Sequence, residues 1–177
     1  MASLERPAAG DAAPYYFRYI DLVPDGDVLA ILAGGVGETR RALAKLPPDR
    51  ETFRYAPGKW SVRDLVGHVL DSERVFGHRA FHIARGDMTP QPSMEQDEYV
   101  ATAGADRRPL SAILDELDHL RRSHLAMFEG LDAPAWERVG LAAESPVRVR
   151  SFPFILAGHE IHHRRVLVER YRVPSPE

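Results

Sequence analysis

The stretch AGHEIHHRR, residues 157–165, carries three histidines and a glutamate within the five positions from His159 to His163. On an α-helix each residue advances about 100°, so His159 and His163, at i and i+4, share a face. Phe152, Ile155, Leu156 and Val166 fall within about 60° of that direction, which makes the face apolar and turns the histidine pair toward a core. His162 falls at the border of the stripe, and Glu160 points about 100° away from His159. Two inward imidazoles at this spacing can offer lone pairs to one divalent cation. Without one they need other hydrogen-bond partners, because buried polar groups are costly when unpaired. The same residues also spell H-E-x-x-H, the zinc signature of metalloproteases.

A third ligand has to come from another helix. The segment GKWSVRDLVGHVLDSERVFGHRAFHIARGD, residues 58–87, starts with Ser61 as N-cap and Asp64 three residues on, a capping-box pattern, and runs about six turns without proline. His68 shares its side of this helix with Leu65, Ser72 and Val75, so it too points inward. Asp64 and Asp71, one turn either side, are placed to accept a hydrogen bond from a ligand N–H, a role that metal-bound histidines usually require. His78 and His82 lie about 15 to 21 Å further along the axis and cannot join the same site. His119 and His124 read as satisfied core residues or as exposed ones.

The remaining pattern completes a bundle. After an N-cap at Asp25 or Asp27, Leu29, Leu32, Val36, Leu43 and Leu46 recur at near-helical spacing until Pro47-Pro48. Gly34, Gly35 and Gly37 weaken this helix or permit close packing. LSAILDELDHLRRSHLAMFEGL, residues 110–131, forms an amphipathic third segment with Ser111 as its expected cap. The fourth runs from near Ser151 to about Tyr171, with Pro174 as its stop. Four helices without a convincing strand pattern predict an all-α four-helix bundle. Long loops follow the second helix and separate the third from the fourth, and a loop of some twenty residues usually covers a site or carries short structure of its own. Residues 1–14, rich in Ala, Pro and Gly, are expected to form a flexible tail, and 15–174 a single domain.

Composition narrows the function. The chain has 177 residues, 28% of them charged, and a net charge of -3, so it presents no polycationic surface for nucleic acid. Its basic residues come as scattered pairs such as Arg121-Arg122, the pattern of solvated helix faces. With no cysteine, disulfides, thiolate-ligated zinc and a thiol nucleophile are excluded. The opening residues lack the apolar core of a secretory signal, and no apolar run approaches the ~20 residues of a membrane span. A cytoplasmic location with no membrane partner is expected, and a homodimer through an exposed helix face is compatible with a bundle of this size.

The metalloprotease reading is a minor alternative. Its third ligand is expected downstream of the motif helix, where Glu169 sits on the same helix. There is also no expected edge strand to hold a peptide.

APGKWSVRDLVGHVLDSERVF (residues 56–76) and AGHEIHHRRVLVERY (157–171) together resemble the DinB/YfiT-like superfamily. RYIDLVPDGDVL (18–29), MEQDEYVA (94–101) and the 110–132 segment are similar to one of its subgroups, so the likeness runs from Tyr19 to Tyr171. It implies a four-helix bundle in which one histidine of the second helix and an H-x-x-x-H pair of the fourth hold a divalent metal, often nickel or zinc. Position by position these are His68, His159 and His163. The resemblance further implies a metal-dependent hydrolase, or a thiol S-transferase using a low-molecular-weight thiol such as bacillithiol or mycothiol.

Three imidazoles leave open coordination positions, suited to activating water or to holding a thiol as thiolate, and the ligand set does not choose between them. A small-molecule substrate is expected in either case. An all-histidine set favours zinc, nickel, copper or iron over magnesium or calcium. Candidate catalytic helpers are Asp64, Asp71 and Glu160, with His162, Asp97 and Tyr99 more remote. The rival from another class is a non-catalytic, stress-related metal-binding or interaction bundle.

Overall fold

The structure, a computed structural model, describes residues 4–173. In chain order its elements are α1 (Pro14–Ile20), α2 (Val28–Leu43), α3 (Val62–Ala84), α4 (Gln96–Ala103), α5 (Leu110–Glu129), α6 (Ala133–Glu137), β1 (Val139–Ala142), β2 (Ser145–Arg148) and α7 (Ser151–Tyr171). The long helices α2, α3, α5 and α7 form a four-helix bundle, α3 packing on both α5 and α7 while α2 packs on α7 and α5.

The helix starts follow local chemistry. Asp27 accepts from Leu29 N at 3.0 Å. Ser61 Oγ accepts from Asp64 N at 2.9 Å while Asp64 Oδ2 accepts from Ser61 N at 3.1 Å, so the capping box that opens α3 is complete. Ser111 is not a cap. Pro109, which has no N–H to leave unsatisfied, takes the N-cap position of α5, and Ser111 falls inside the first turn. At the far end of α7, Arg172 turns left-handed with φ 55° and Val173 N donates back to Leu167 O at 3.2 Å. Pro174, the expected stop, lies outside the described residues.

Both long connections carry structure. α4 occupies the loop between α3 and α5. Between α5 and α7 runs an antiparallel ribbon that pairs Val139 with Arg148 and Gly140 with Val147. Gln91 adds a single parallel bridge at Ala142, and four-residue strands leave too short an alternation to detect in sequence. The expected N-terminal tail is also partly docked. Arg6 donates to Ile20 O at 2.8 Å and to Val23 O at 2.7 Å, and buried Asp11 accepts from Arg148 Nε at 2.7 Å and Arg150 Nη2 at 2.9 Å.

Two apolar clusters divide the core. One gathers Ile20, Leu32, Phe76, Ile83, Phe128, Phe152 and Ile155, and the other Val36, Val62, Leu65, Leu117, Leu167 and Tyr171. Several buried polar residues of α3, α5 and α7 form a middle layer where the two sets meet: His68 and Glu73, then Arg121, then His159, Glu160 and His163. Two glycines make this middle layer possible. A Cβ at Gly35 would stand 2.6 Å from Glu160 Oε2, and one at Gly158 would stand 2.0 Å from the backbone oxygen of Tyr19.

Candidate metal centre

His68 comes from α3 and His159 and His163 from successive turns of α7. All three are buried. Their ring nitrogens converge: Nε2 of His159 lies 3.2 Å from Nε2 of His68 and 3.1 Å from Nε2 of His163. Zinc–imidazole bonds of ~2.0–2.1 Å separate neighbouring nitrogens of a tetrahedral set by roughly 3.3 Å, close to this spacing. Hydrogen bonding alone satisfies the trio poorly. Wherever two ring nitrogens meet, one must carry the proton and the other the lone pair. The Nδ1 atoms of His68 and His163, buried at the backs of the rings, also find no partner among the described residues. Three lone pairs facing one point fit a cation better than they fit one another.

Burial keeps the rings in the ligand-competent neutral form. It pushes His68 down to about 4 against the opposing pull of Asp97. His159 and His163 are driven well below the ordinary histidine range, first by burial and then by neighbouring imidazoles. Aromatic rings fix the geometry from outside. Tyr19 of α1 stands edge-on to His159 at 5.1 Å and to His162 at 5.5 Å, and Trp60 lies 4.8 Å from His68. Half-buried His162 touches this aromatic rim and not the point of convergence.

The expected carboxylate helpers are placed differently. Asp64 borders a cavity beside His163, but its Oδ2 is held by Arg54 at 2.7 Å and by Ser61 N. Asp71 accepts from Arg74 at 2.9 Å. Glu160, the base of the H-E-x-x-H reading, accepts from Thr39 Oγ1 at 2.6 Å and from Arg121 Nη2 at 2.9 Å. Among the described residues the cluster close enough to share an ion is His68, His159 and His163, with no carboxylate in it. The structure therefore brings none of Asp64, Asp71 and Glu160 to the imidazoles, because each is committed to a cap or an arginine. Glu160 lacks the free oxygen that a protease base needs. Tyr99 lines a separate groove with Asp71, while Asp97 borders the cavity at His163. His124 is hydrogen-bonded to Glu73 at 3.0 Å.

Two cavities meet the cluster from different sides. One, of about 450 Å³, reaches His68 and His159 between Tyr16, Tyr19, Val75, Phe76 and Arg79. The other, of about 920 Å³, reaches His163 past Trp60, Tyr171, Lys59 and Asp97. Gln96 borders both. Tyr19, Trp60 and Arg79 carry no spacing signal in the sequence. The Arg121-Arg122 pair reads as a solvated face, where Arg122 does lie, whereas Arg121 is 1% exposed. Adjacent arginines on a helix point about 100° apart, so one of a pair can be fully inside.

The sequence profile of the DinB superfamily matches residues 34–167. The chain belongs to the DinB superfamily. A candidate metal-dependent hydrolase of Geobacillus kaustophilus is 27% identical over 140 residues, which are 76% of this chain and 77% of that protein. Among solved structures, YfiT from Bacillus subtilis superposes with a TM-score of 0.74 at 16% identity, over 95% of this chain and 92% of YfiT. It is described as a probable metal-dependent hydrolase with an unusual four-helix bundle topology. A mycothiol-dependent maleylpyruvate isomerase superposes with a TM-score of 0.65 at 16% identity, over 81% of this chain and 61% of the isomerase. These likenesses establish that the DinB-superfamily chain has the YfiT four-helix fold. No described helix is long and apolar enough to cross a membrane.

Proposed function

We propose that this DinB-superfamily chain is a metal-dependent hydrolase of small organic molecules, in which His68, His159 and His163 hold a divalent ion, nickel or zinc, through their Nε2 atoms. The observation that carries the reading is the convergence of three neutral imidazole nitrogens at the meeting point of two open cavities. A divalent ion held there supplies Lewis acidity, enough to make water or a thiol a nucleophile near neutral pH. The protein's own contribution is placement. Tyr19 and Trp60 pack against the rings of His159 and His68, α3 and α7 set the ligand separation, and Tyr16 and Phe76 give the approach an aromatic wall. Asp97, at the edge of the cavity reaching His163, is the acidic side chain best placed to accept a proton.

A second reading, thiol S-transfer, draws support from the two separate approaches to the cluster, since a transfer needs room for a thiol and an electrophile together. The fold likeness to a mycothiol-dependent isomerase agrees with it.

A screen of zinc- and nickel-loaded protein against esters, amides and lactones, run with and without low-molecular-weight thiols, tests both. Thiol-independent turnover that disappears in His68→Ala and His163→Ala supports hydrolysis, and strictly thiol-dependent turnover supports transfer. Metal bound to full stoichiometry by the His68→Ala, His159→Ala double variant would sink both, and so would a metal that only stabilises the fold without any turnover.

A further inference from the structure

Two arginines are buried inside the bundle, and their surroundings differ. Arg121, 1% exposed, is neutralised by Glu73 and Glu160. Arg79, 3% exposed, has no carboxylate within ion-pair distance among the described residues. Its protein partners are neutral: the backbone oxygen of Pro92, and the hydroxyl of Tyr16 at a long 3.5 Å. A guanidinium has five N–H donors, and these two contacts leave at least half of them available. A buried, uncompensated cation is costly unless it meets an anion.

Arg79 lines the cavity of about 450 Å³ whose other end is formed by His68 and His159. The two ends are one phenyl ring apart: the centroid of Phe76 lies 5.7 Å from Arg79 Cζ and 6.0 Å from the His159 ring. Between them the walls are Val75, Phe76, Tyr16 and Met94, apolar or aromatic, and the volume falls in the range of small-ligand sites. Burial raises the pKa of Tyr16, so its hydroxyl stays protonated and can donate to an anion as well as accept from Arg79. Glu95 borders the same cavity from an exposed position, where Ser93 Oγ donates to it at 3.2 Å, and so leaves Arg79 without a counter-ion.

We propose that this cavity takes a small organic acid, its single carboxylate held by Arg79 and Tyr16 and its apolar body lying along Phe76 toward the histidine cluster. One guanidinium matches one carboxylate in charge and in fork geometry, whereas a phosphate dianion would call for further cations. The assignment names the substrate class for the enzyme proposed above. It rests on that reading only for the chemistry at the histidine end.

Isothermal titration of 3-phenylpropanoate and of 3-phenylpropan-1-ol into chelated and into zinc-loaded protein tests it. The acid is expected to bind about tenfold tighter than the alcohol in both forms, the worth of one charged hydrogen-bonded anchor. Equal affinities, or binding of neither probe, would overturn the assignment. A preference seen only in the zinc-loaded form would overturn it too, since the acid would then be ligating the ion. In Arg79→Met the preference is expected to vanish while zinc stoichiometry is unchanged, and a surviving preference counts against the proposal. Arg79→Lys keeps a buried cation and should retain part of the preference. If neither variant folds, the two wild-type titrations decide alone. Failure of zinc to bind would leave the acid preference intact, which separates this inference from the metal reading.

Discussion

Arg121 Nη2 donates to Glu160 Oε2 at 2.9 Å inside the bundle, and the same guanidinium forks onto both oxygens of Glu73, also at 2.9 Å. Glu160 adjoins His159 on α7 and Glu73 lies five residues beyond His68 on α3. One arginine of α5 thus ties together the two helices that bring the histidines to a point. Its other donor reaches Leu32 O of α2 at 2.7 Å, so a single side chain touches all four helices of the bundle.

Removing that arginine strips two buried carboxylates of the cation they share and leaves Glu73 with His124 alone. Arg121→Met is expected to destabilise the fold by about 3–5 kcal/mol, measured as a lower urea midpoint. Neutralising the acids in the Glu73→Gln, Arg121→Met, Glu160→Gln triple variant should recover part of that loss. No recovery would mean that packing, not charge, is what Arg121 contributes.

Zinc binding should depend on three histidines and ignore the rest. His163→Ala is expected to weaken zinc by ~100-fold or more in a competition titration, since losing a direct ligand exceeds the 10–100-fold cost of losing an outer partner. His78→Ala and His119→Ala should leave it unchanged. An equal effect at His78, whose ring lies 4.1 Å from that of His82 and away from the cluster, would displace the site.

Stability of the chelated protein should fall as pH drops below neutrality. His68 titrates near 4 in the fold, and His159 and His163 titrate well below the ordinary value near 6.5. Between those values the unfolded chain binds more protons than the folded one, so stability is full above about pH 6.5 and is lost on the way down toward 4. Melting temperatures from pH 7.5 to 4.5 check this, and His68→Gln should flatten the slope. A flat profile for the parent protein would contradict neutral buried imidazoles.

Gly158→Ala is expected to cost about 1–3 kcal/mol, because the added methyl would run into the backbone oxygen of Tyr19 rather than into a side chain able to swing away. The displaced α1 carries Tyr19 off His159, so tyrosine fluorescence and zinc affinity should change together. A variant as stable as the parent would show that α1 sits less tightly than its burial indicates.

The helices and the inward histidines were legible because both rest on a local rule. Helical periodicity places His159 beside His163, and the Ser61–Asp64 box sets the phase of α3 and with it the direction of His68. What was illegible was which group, distant in sequence, a polar side chain finds. Asp64 lies one turn from His68, and its spacing suits that histidine as well as it suits the cap and Arg54. Arg121 and Arg122 are identical as letters, and only the helix packing puts one in the core and the other in water.

The spacing of apolar and histidine residues along each helix, a property of the backbone turn, is what the chain by itself determined: four helices, their inner faces, and imidazoles on two of them. Tertiary structure decided that His68 of α3 meets His159 of α7 at 3.2 Å, that the neighbouring carboxylates serve arginines, and that Arg79 lines a cavity with no carboxylate within ion-pair distance of it among the described residues. Those outcomes are pairings between residues far apart in sequence. Their energies depend on distance and burial, and neither exists until the helices have packed.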